Sequence, residues 1–267
     1  MTEISQSPRR IALIGFGALG KSIASMVQSG HLPGVEVAGA LVVGTPPQNG
    51  PLKYWLSLDD LLESRPDLVV EVAGHTALQS HGSRCLREGC DVVAASVGAL
   101  MDPFLHAQLM ESAQHGRSRL LVPSGALGGL DYLRAARRVG PVQVKYRGCK
   151  PVAAWRGTAA ESLVDLDAVK NATTFFRGNA QEAATRFPQN ANVVAALAIA
   201  VGSAGAVSVE LVADPSSTHN RHEVTAAGDA GTIHLSVENS PSPDNPKSSR
   251  VTAFSILDTV AAYWGDL

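Results

Sequence analysis

An apolar run, Ile11 to Ile14, ends in Gly15-Phe16-Gly17-Ala18-Leu19-Gly20, and a helical pattern follows from Lys21 to Gln28. No other segment restricts the possible folds so much, because each glycine meets a separate steric demand. Gly15 permits a tight turn, Gly17 lets the backbone approach a pyrophosphate, and Gly20 lets helix and strand pack closely. The helix start then offers unpaired N–H groups and the positive end of a dipole to the phosphates. Glycine-rich turns occur in many proteins. Set between a strand and a helix, this one predicts a dinucleotide site.

The rest of the chain extends the pattern. Apolar runs recur at Val35–Val43, Leu68–Val72, Val92–Ala95 and Leu120–Val122, with helical periodicity near Leu58–Glu63, Ala77–Glu88 and Phe104–Gln114. Ser57 followed by Asp60 reads as a capping box. Strands alternating with helices imply right-handed crossovers, and so an α/β fold with a Rossmann-type, doubly wound parallel sheet. From about Gly128 the pattern changes to strand-like stretches at Val142–Arg147, Ala172–Phe176, Val207–Val212, Glu223–Ala226 and Thr232–Val237, with a helix from Asn192 to about Ser203. We therefore expect a dinucleotide-binding domain over 1–127, completed by a C-terminal helix within 246–267. A second α+β domain with a mixed sheet, for substrate, catalysis and dimerisation, would cover 128–245. The segment from Asn239 to Pro246 reads as a surface connection.

Composition excludes several classes. The net charge of −2 and scattered basic residues give no nucleic-acid footprint. The longest apolar stretch, Val193 to Val201, is too short to span a bilayer. Cys85, Cys90 and Cys149 are odd in number and lack zinc-ligand spacing, so no metal site is expected. Without a secretory signal the thiols point to a reducing cytoplasm.

In doubly wound sheets ligands bind at the carboxyl ends of the strands. Here those tips read Gly15-Phe16-Gly17, Ala73-Gly74-His75, Ser96-Val97-Gly98-Ala99 and Pro123-Ser124-Gly125-Ala126. Small residues at four tips favour a cofactor cleft over simple turns. An NAD-preferring site usually ends its second strand in Asp or Glu. Leu41-Val42-Val43-Gly44-Thr45 has neither, and no arginine follows at once, so both NAD and NADP are expected to serve.

Proton handling suits histidine, which titrates near neutrality. Of the eight histidines, His31, His81, His106 and His115 read as surface residues and His234 as part of a strand. His75 either touches the nicotinamide or caps the next helix with Thr76. His219 and His222 flank Asn220 and Arg221 just before a strand, a setting that by itself describes a polar loop. Phe187-Pro188-Gln189-Asn190-Ala191-Asn192-Val193 reads as a capped helix start, with Asn190 or Asn192 at the cap. Its asparagines also suit a nicotinamide carboxamide.

Together these motifs resemble the L-aspartate dehydrogenase family over nearly the whole chain. The resemblance is carried by Gly15 to Gly20, Val70-Glu-Val-Ala-Gly74, Ser96-Val-Gly-Ala-Leu100 and Pro123 to Asp131. It continues through Gly178 to Ala183, Phe187 to Val193, Ala213-Asp-Pro215, Asn220-Arg-His-Glu223 and Asn245-Pro246. It implies that Ala126 and Asn192 contact NAD(P) and that His222 is the catalytic histidine; His219 lies outside the motif. It also implies oxidation of L-aspartate to iminosuccinate, then oxaloacetate and ammonia, and the reverse reductive amination.

A dicarboxylate needs cations or N–H donors. Lys150, Arg156, Arg177, Arg221 and Lys247 are candidates, with Lys150, Arg221 and Lys247 favoured by their neighbouring motifs. The competing readings are an imine or semialdehyde-linked oxidoreductase on the same scaffold, and a nucleotide sensor without turnover. A twofold homodimer is the expected assembly.

Overall fold

The computed structural model describes residues 8–46, 50–188, 191–242 and 245–266, without the side chains of 245–247. Contacts divide the chain into two units, Met1–Ser96 with Pro103–Pro123 and Ile256–Leu267, and Val97–Asp102 with Ser124–Ser255.

The first unit is built on six strands, β1 (Arg9–Ile14), β2 (Val35–Leu41), β3 (Tyr54–Trp55), β4 (Leu68–Glu71), β5 (Val92–Ala94) and β6 (Leu120–Leu121). Their order is β3-β2-β1-β4-β5-β6, and every pairing is parallel. Strands covered on both faces need apolar residues throughout, and Ile11–Ile14, Leu68–Val70 and Val92–Ala94 are all buried. The helices are α1 (Ala18–Gln28), α2 (Leu58–Glu63), α3 (His75–Ala77), α4 (Ser83–Arg87) and α5 (Pro103–Gly116). At α2 the Ser57 hydroxyl accepts from the Asp60 N–H at 3.2 Å.

Two expected elements are corrected. β2 stops at Leu41, where its pairing with β3 runs out, and Val43 stands fully in solvent. The helix expected over 77–88 begins at His75 and passes through a π-helical turn, Leu78–Gly82. A Cβ on Gly82 would meet Leu78 and Leu109 at 2.9 Å, so the missing side chain lets α5 approach there. The chain's end belongs to this unit. Arg9 pairs with Asp266 and lies 5.3 Å from the Trp264 ring, while Arg119 sits 4.7 Å from the Tyr263 ring.

The second unit carries β7 (Val142–Pro151), β8 (Thr173–Asn179), β9 (Val207–Asp214), β10 (Asn220–Gly228) and β11 (Gly231–Asn239). They form a mixed sheet in the order β11-β10-β7-β9-β8, with β7–β9 the parallel pair. Alternation along the strands divides its faces. Val142, Val144, Tyr146, Val224 and Ala226 are buried on one face; Arg147, Arg177, Glu210 and Glu223 lie on the other. The helices of this unit are α6 (Leu130–Ala136), α7 (Val152–Trp155), α8 (Ala180–Arg186), α9 (Asn192–Val201) and α10 (Val251–Tyr263), the last running on into the first unit.

Three expectations change here. β10 starts at Asn220, so His222 lies within a strand and not ahead of one. Part of the expected surface connection forms a short hairpin of β12 (Pro241–Ser242) and β13 (Asn245–Ser249). Val97–Asp102 groups with the second unit, because its buried turn Val97–Met101 is tied to α9.

Candidate active site

In the first unit the site is made of backbone. Gly15 has a φ of +101°, and a Cβ there would meet the Ala73 Cβ at 2.6 Å. A Cβ on Gly20 would lie 2.5 Å from the Gly15 carbonyl oxygen, whereas one on Gly17 meets nothing within 4 Å. The turn is thus packed shut beneath Gly15 and Gly20 and open above Gly17, the cradle a pyrophosphate requires. Ala18 and Leu19 open α1, and Phe16 packs edge-on against Tyr54 at 5.3 Å. Gly74, with a φ of +108°, takes the cap position of α3, so half-buried His75 is the first helical residue.

A wholly buried carboxylate, Glu71 at the tip of β4, ties this rim together. Its Oε1 accepts from the N–H groups of Ala73 (2.8 Å) and Gly74 (2.9 Å) and from the Ser96 hydroxyl (2.9 Å); its Oε2 accepts from the Ser96 N–H at 3.1 Å. Burial pushes its pKa up, and the four bonds oppose that without cancelling it. The sequence singled out Ala73, Gly74 and Ser96 as contacts; the structure adds the residue that holds all three.

In the second unit the loop carrying Ala126 is fixed at two points. The Asn239 amide donates to the Ala126 carbonyl at 2.8 Å, and the Gly125 N–H donates to the Ser255 hydroxyl at 3.0 Å. Asn192 does not cap α9. It is the first helical residue behind Ala191, and its Oδ1 accepts the Gly98 N–H at 2.9 Å, which ties the Ser96–Leu100 motif to the Phe187–Val193 motif. Asn190 lies outside the described residues.

His222 is only 2 % exposed. Its Nδ1 lies 2.8 Å from the Tyr146 hydroxyl, and the two rings stack with centroids 6.0 Å apart. Its Nε2 is buried with no hydrogen-bond partner among the described residues. Buried polar atoms are nearly always paired, so such an atom marks a place where a ligand belongs. Burial, with the Lys150 charge second, pulls the His222 pKa down to about 3, which keeps the imidazole neutral.

Lys150 lies on the same face. Gly148 of β7 stands opposite His222 in the ladder, and Lys150 is two residues further along. Lys150 is 8 % exposed, its ammonium sits 5.4 Å from the Trp155 ring, and burial lowers its pKa to about 8. The other cations fall elsewhere. Arg221 is next to His222 in the strand, so the pleat turns it to the opposite face, where it pairs with Glu223 (3.2 Å) and Glu238 (3.5 Å). Arg177 pairs with Glu210 and Arg156 with Asp167. His219 sits in an exposed turn beside Thr218. Lys247 is on β13, with its side chain outside the described residues. The favoured Arg221 is thus removed from the cluster, and Tyr146, which the sequence did not single out, joins it. The signal was the alternation Tyr146, Gly148, Lys150 along one strand.

Residues 131–263 match the family model described as aspartate dehydrogenase, C-terminal, and residues 15–123 match homoserine dehydrogenase, NAD binding domain. The chain is 42% identical over 252 residues to an L-aspartate dehydrogenase of Ruegeria pomeroyi, covering 93% of this chain and 90% of that one. It is 39% identical to L-aspartate dehydrogenase 2 of Bordetella bronchiseptica, covering 94% and 95%. In fold it is similar to the crystal structure of aspartate dehydrogenase from Thermotoga maritima, with a TM-score of 0.78 at 24% identity over 97% of this chain and 98% of that one. Two matched domains and relatives aligned over most of their length agree with the residues assembled above, and the chain belongs to the L-aspartate dehydrogenase family.

Proposed function

We propose that this protein catalyses the NAD(P)-dependent oxidation of L-aspartate to iminosuccinate, which water converts to oxaloacetate and ammonia, and the reverse reductive amination. One observation carries the proposal: a buried neutral imidazole with an unpartnered Nε2 shares a sheet face with a buried lysine, in the part of the chain that matches the aspartate dehydrogenase model.

Gly15, Phe16, Gly17, Ala18, Leu19 and Gly20 would hold the pyrophosphate, with Ala73, Gly74, His75, Ser96, Val97, Ala126 and Asn192 along the rest of the cofactor. When bound, the nicotinamide supplies a hydride acceptor for oxidation and a donor for the reverse. The chain's own residues manage the proton. A hydride can leave Cα only when nitrogen has a free lone pair, so the ammonium must first lose a proton, and Nε2 of His222 takes it. Lys150 supplies the cation for a substrate carboxylate. The two roles are linked, because the Lys150 charge is the second cause holding His222 weakly basic. A carboxylate docked on Lys150 offsets that charge and strengthens the base as substrate arrives. Once that proton has passed to solvent, the neutral His222 again serves as base, to the water that adds to the imine.

Both cofactors should work. The described tip of β2, Leu41 to Pro46, carries no carboxylate to repel a 2′-phosphate. We expect catalytic efficiencies with NAD and NADP within about a thousandfold of each other, the range a single lost repulsion leaves open. A spectrophotometric assay with aspartate, glutamate, alanine and homoserine tests substrate and cofactor together. Turnover of another substrate in preference to aspartate would point to an imine or semialdehyde-linked enzyme, and no turnover at all to a nucleotide sensor.

The assembly we infer is a homodimer, paired through the polar face of the second sheet. Both signs of charge alternate there, as a self-complementary surface needs. Sedimentation velocity tests it. A cytoplasmic setting fits three free cysteines, of which Cys85 is buried with its thiol pushed up to about 12. Among the described residues no helix is long and apolar enough to cross a membrane.

A further inference from the structure

We propose that Tyr146 is the positioning residue of His222, and that Gly148 exists to let it reach the ring. The inference rests on the functional reading above and extends it to a residue that reading does not use.

Three observations meet here. Tyr146, Gly148 and His222 occupy the same face of adjacent antiparallel strands, with Gly148 directly opposite His222 and Tyr146 opposite Val224. The Tyr146 ring therefore leans forward along its own strand, over Gly148, for its hydroxyl to arrive 2.8 Å from the His222 Nδ1. A Cβ on Gly148 would stand 2.6 Å from that hydroxyl oxygen and 3.1 Å from the ring carbon bearing it. Any larger residue at 148 pushes the phenol off its place. Gly148 is not in the left-handed region, so the demand is for space and not for backbone freedom.

The consequence is chemical. With Nδ1 tied to Tyr146, ring rotation is blocked and Nε2, the unpartnered nitrogen, is the one offered to substrate. For Nε2 to take a proton, the neutral ring must carry its N–H on Nδ1, donating to the phenol oxygen, and the imidazolium keeps that bond. In the imidazolium the bond is charge-assisted, and so stronger than in the neutral ring. The phenol keeps its own proton, since burial pushes its ionisation up. Tyr146 thus orients the ring and favours its protonated form, without touching substrate.

The test compares Tyr146→Phe, Gly148→Ala and the double variant with wild type, using aspartate and saturating cofactor. We expect Tyr146→Phe to lower kcat about tenfold, the worth of one lost charge-assisted bond. The aspartate KM should stay within about twofold, because the loss falls on proton transfer and not on binding. The acid limb of kcat should move to lower pH, since the base is weakened. Gly148→Ala should reproduce this, and the double variant should be no worse than either single one, because both break the same link. A Tyr146→Phe enzyme with full kcat and an unmoved acid limb overturns the proposal. Imidazole ¹⁵N NMR on wild type and Tyr146→Phe separates this outcome from failure of the functional reading, since it needs no turnover. If aspartate is not the substrate, a changed Nδ1 resonance of His222 in Tyr146→Phe still supports the link, and an unchanged one overturns it. Should Gly148→Ala fail to fold, Tyr146→Phe alone decides.

Discussion

The two sheets make their sites in opposite ways. In the first unit the strands run two to seven residues, are mostly apolar and all pair in parallel, and what the sheet offers a ligand is backbone at the strand tips: the Gly15–Gly20 turn and the Ala73, Gly74 and Ser96 positions held by Glu71. In the second unit the mixed-sheet strands run seven to ten residues, and the groups we propose for the chemistry are side chains on its buried face, His222, Lys150 and Tyr146. A backbone site is specified by what is missing, namely Cβ atoms. A side-chain site is specified by which of two faces a residue points to, and a shift of one residue in register would remove it.

That contrast predicts different failures. The largest effect is expected for His222→Ala, which should lose activity by about 10²-fold or more, the usual worth of a positioned general base. Cofactor affinity, read from the fluorescence of bound reduced nicotinamide, should persist because the glycine turn is untouched. Near-normal turnover in this variant would remove His222 from the role.

On the backbone side, Gly15→Ala and Gly17→Ala should part company. At Gly15 the added methyl meets Ala73 at 2.6 Å in a left-handed backbone, so both strain and overpacking act. Each is worth about 1–3 kcal/mol, so thermal stability and cofactor affinity should fall together. At Gly17 a Cβ meets no protein atom within 4 Å. Gly17→Ala should therefore leave the melting temperature alone and still weaken cofactor binding, because the methyl stands where the pyrophosphate comes. Unchanged affinity in Gly17→Ala would mean that the phosphates lie elsewhere.

The same contrast explains what could be read from the sequence. The strand–Gly-x-Gly-x-x-Gly–helix succession, the parallel sheet and the four strand tips follow from local sterics, and local patterns record them. Glu71 was visible only as one letter of Val70-Glu-Val-Ala-Gly74, because its partner Ser96 is 25 residues away. His222 was identified through family resemblance; its own surroundings, Asn220 to Glu223, looked like a loop, since alternation there is between polar residues on both faces. Arg221 and Lys150 looked equivalent as cations. Only the ladder, which sets His222 against Gly148 and Arg221 against Cys149, shows that one shares the histidine's face and the other does not.

Lys150 sharpens the comparison most finely, because the role we propose for it is electrostatic and would leave two separate marks. Its pKa of about 8 means that it is cationic below that pH and neutral above it. If its ammonium receives a substrate carboxylate, the aspartate KM should be low below about pH 8 and rise as the pH passes through it, with the turning point moved upward once bound substrate stabilises the cation. Lys150→Met should raise KM about tenfold at neutral pH, as loss of a bond to a charged group does, and should flatten the rise. The second mark falls on His222. Lys150 is the lesser cause of its depressed pKa, burial being the greater. Removing the lysine should therefore move the acid limb of kcat/KM upward by a modest amount, opposite in sign to the shift expected of Tyr146→Phe in kcat. A KM that ignores pH in wild type and is unchanged in Lys150→Met would assign the substrate carboxylate to another group and leave that face to His222 and the Tyr146 that orients it.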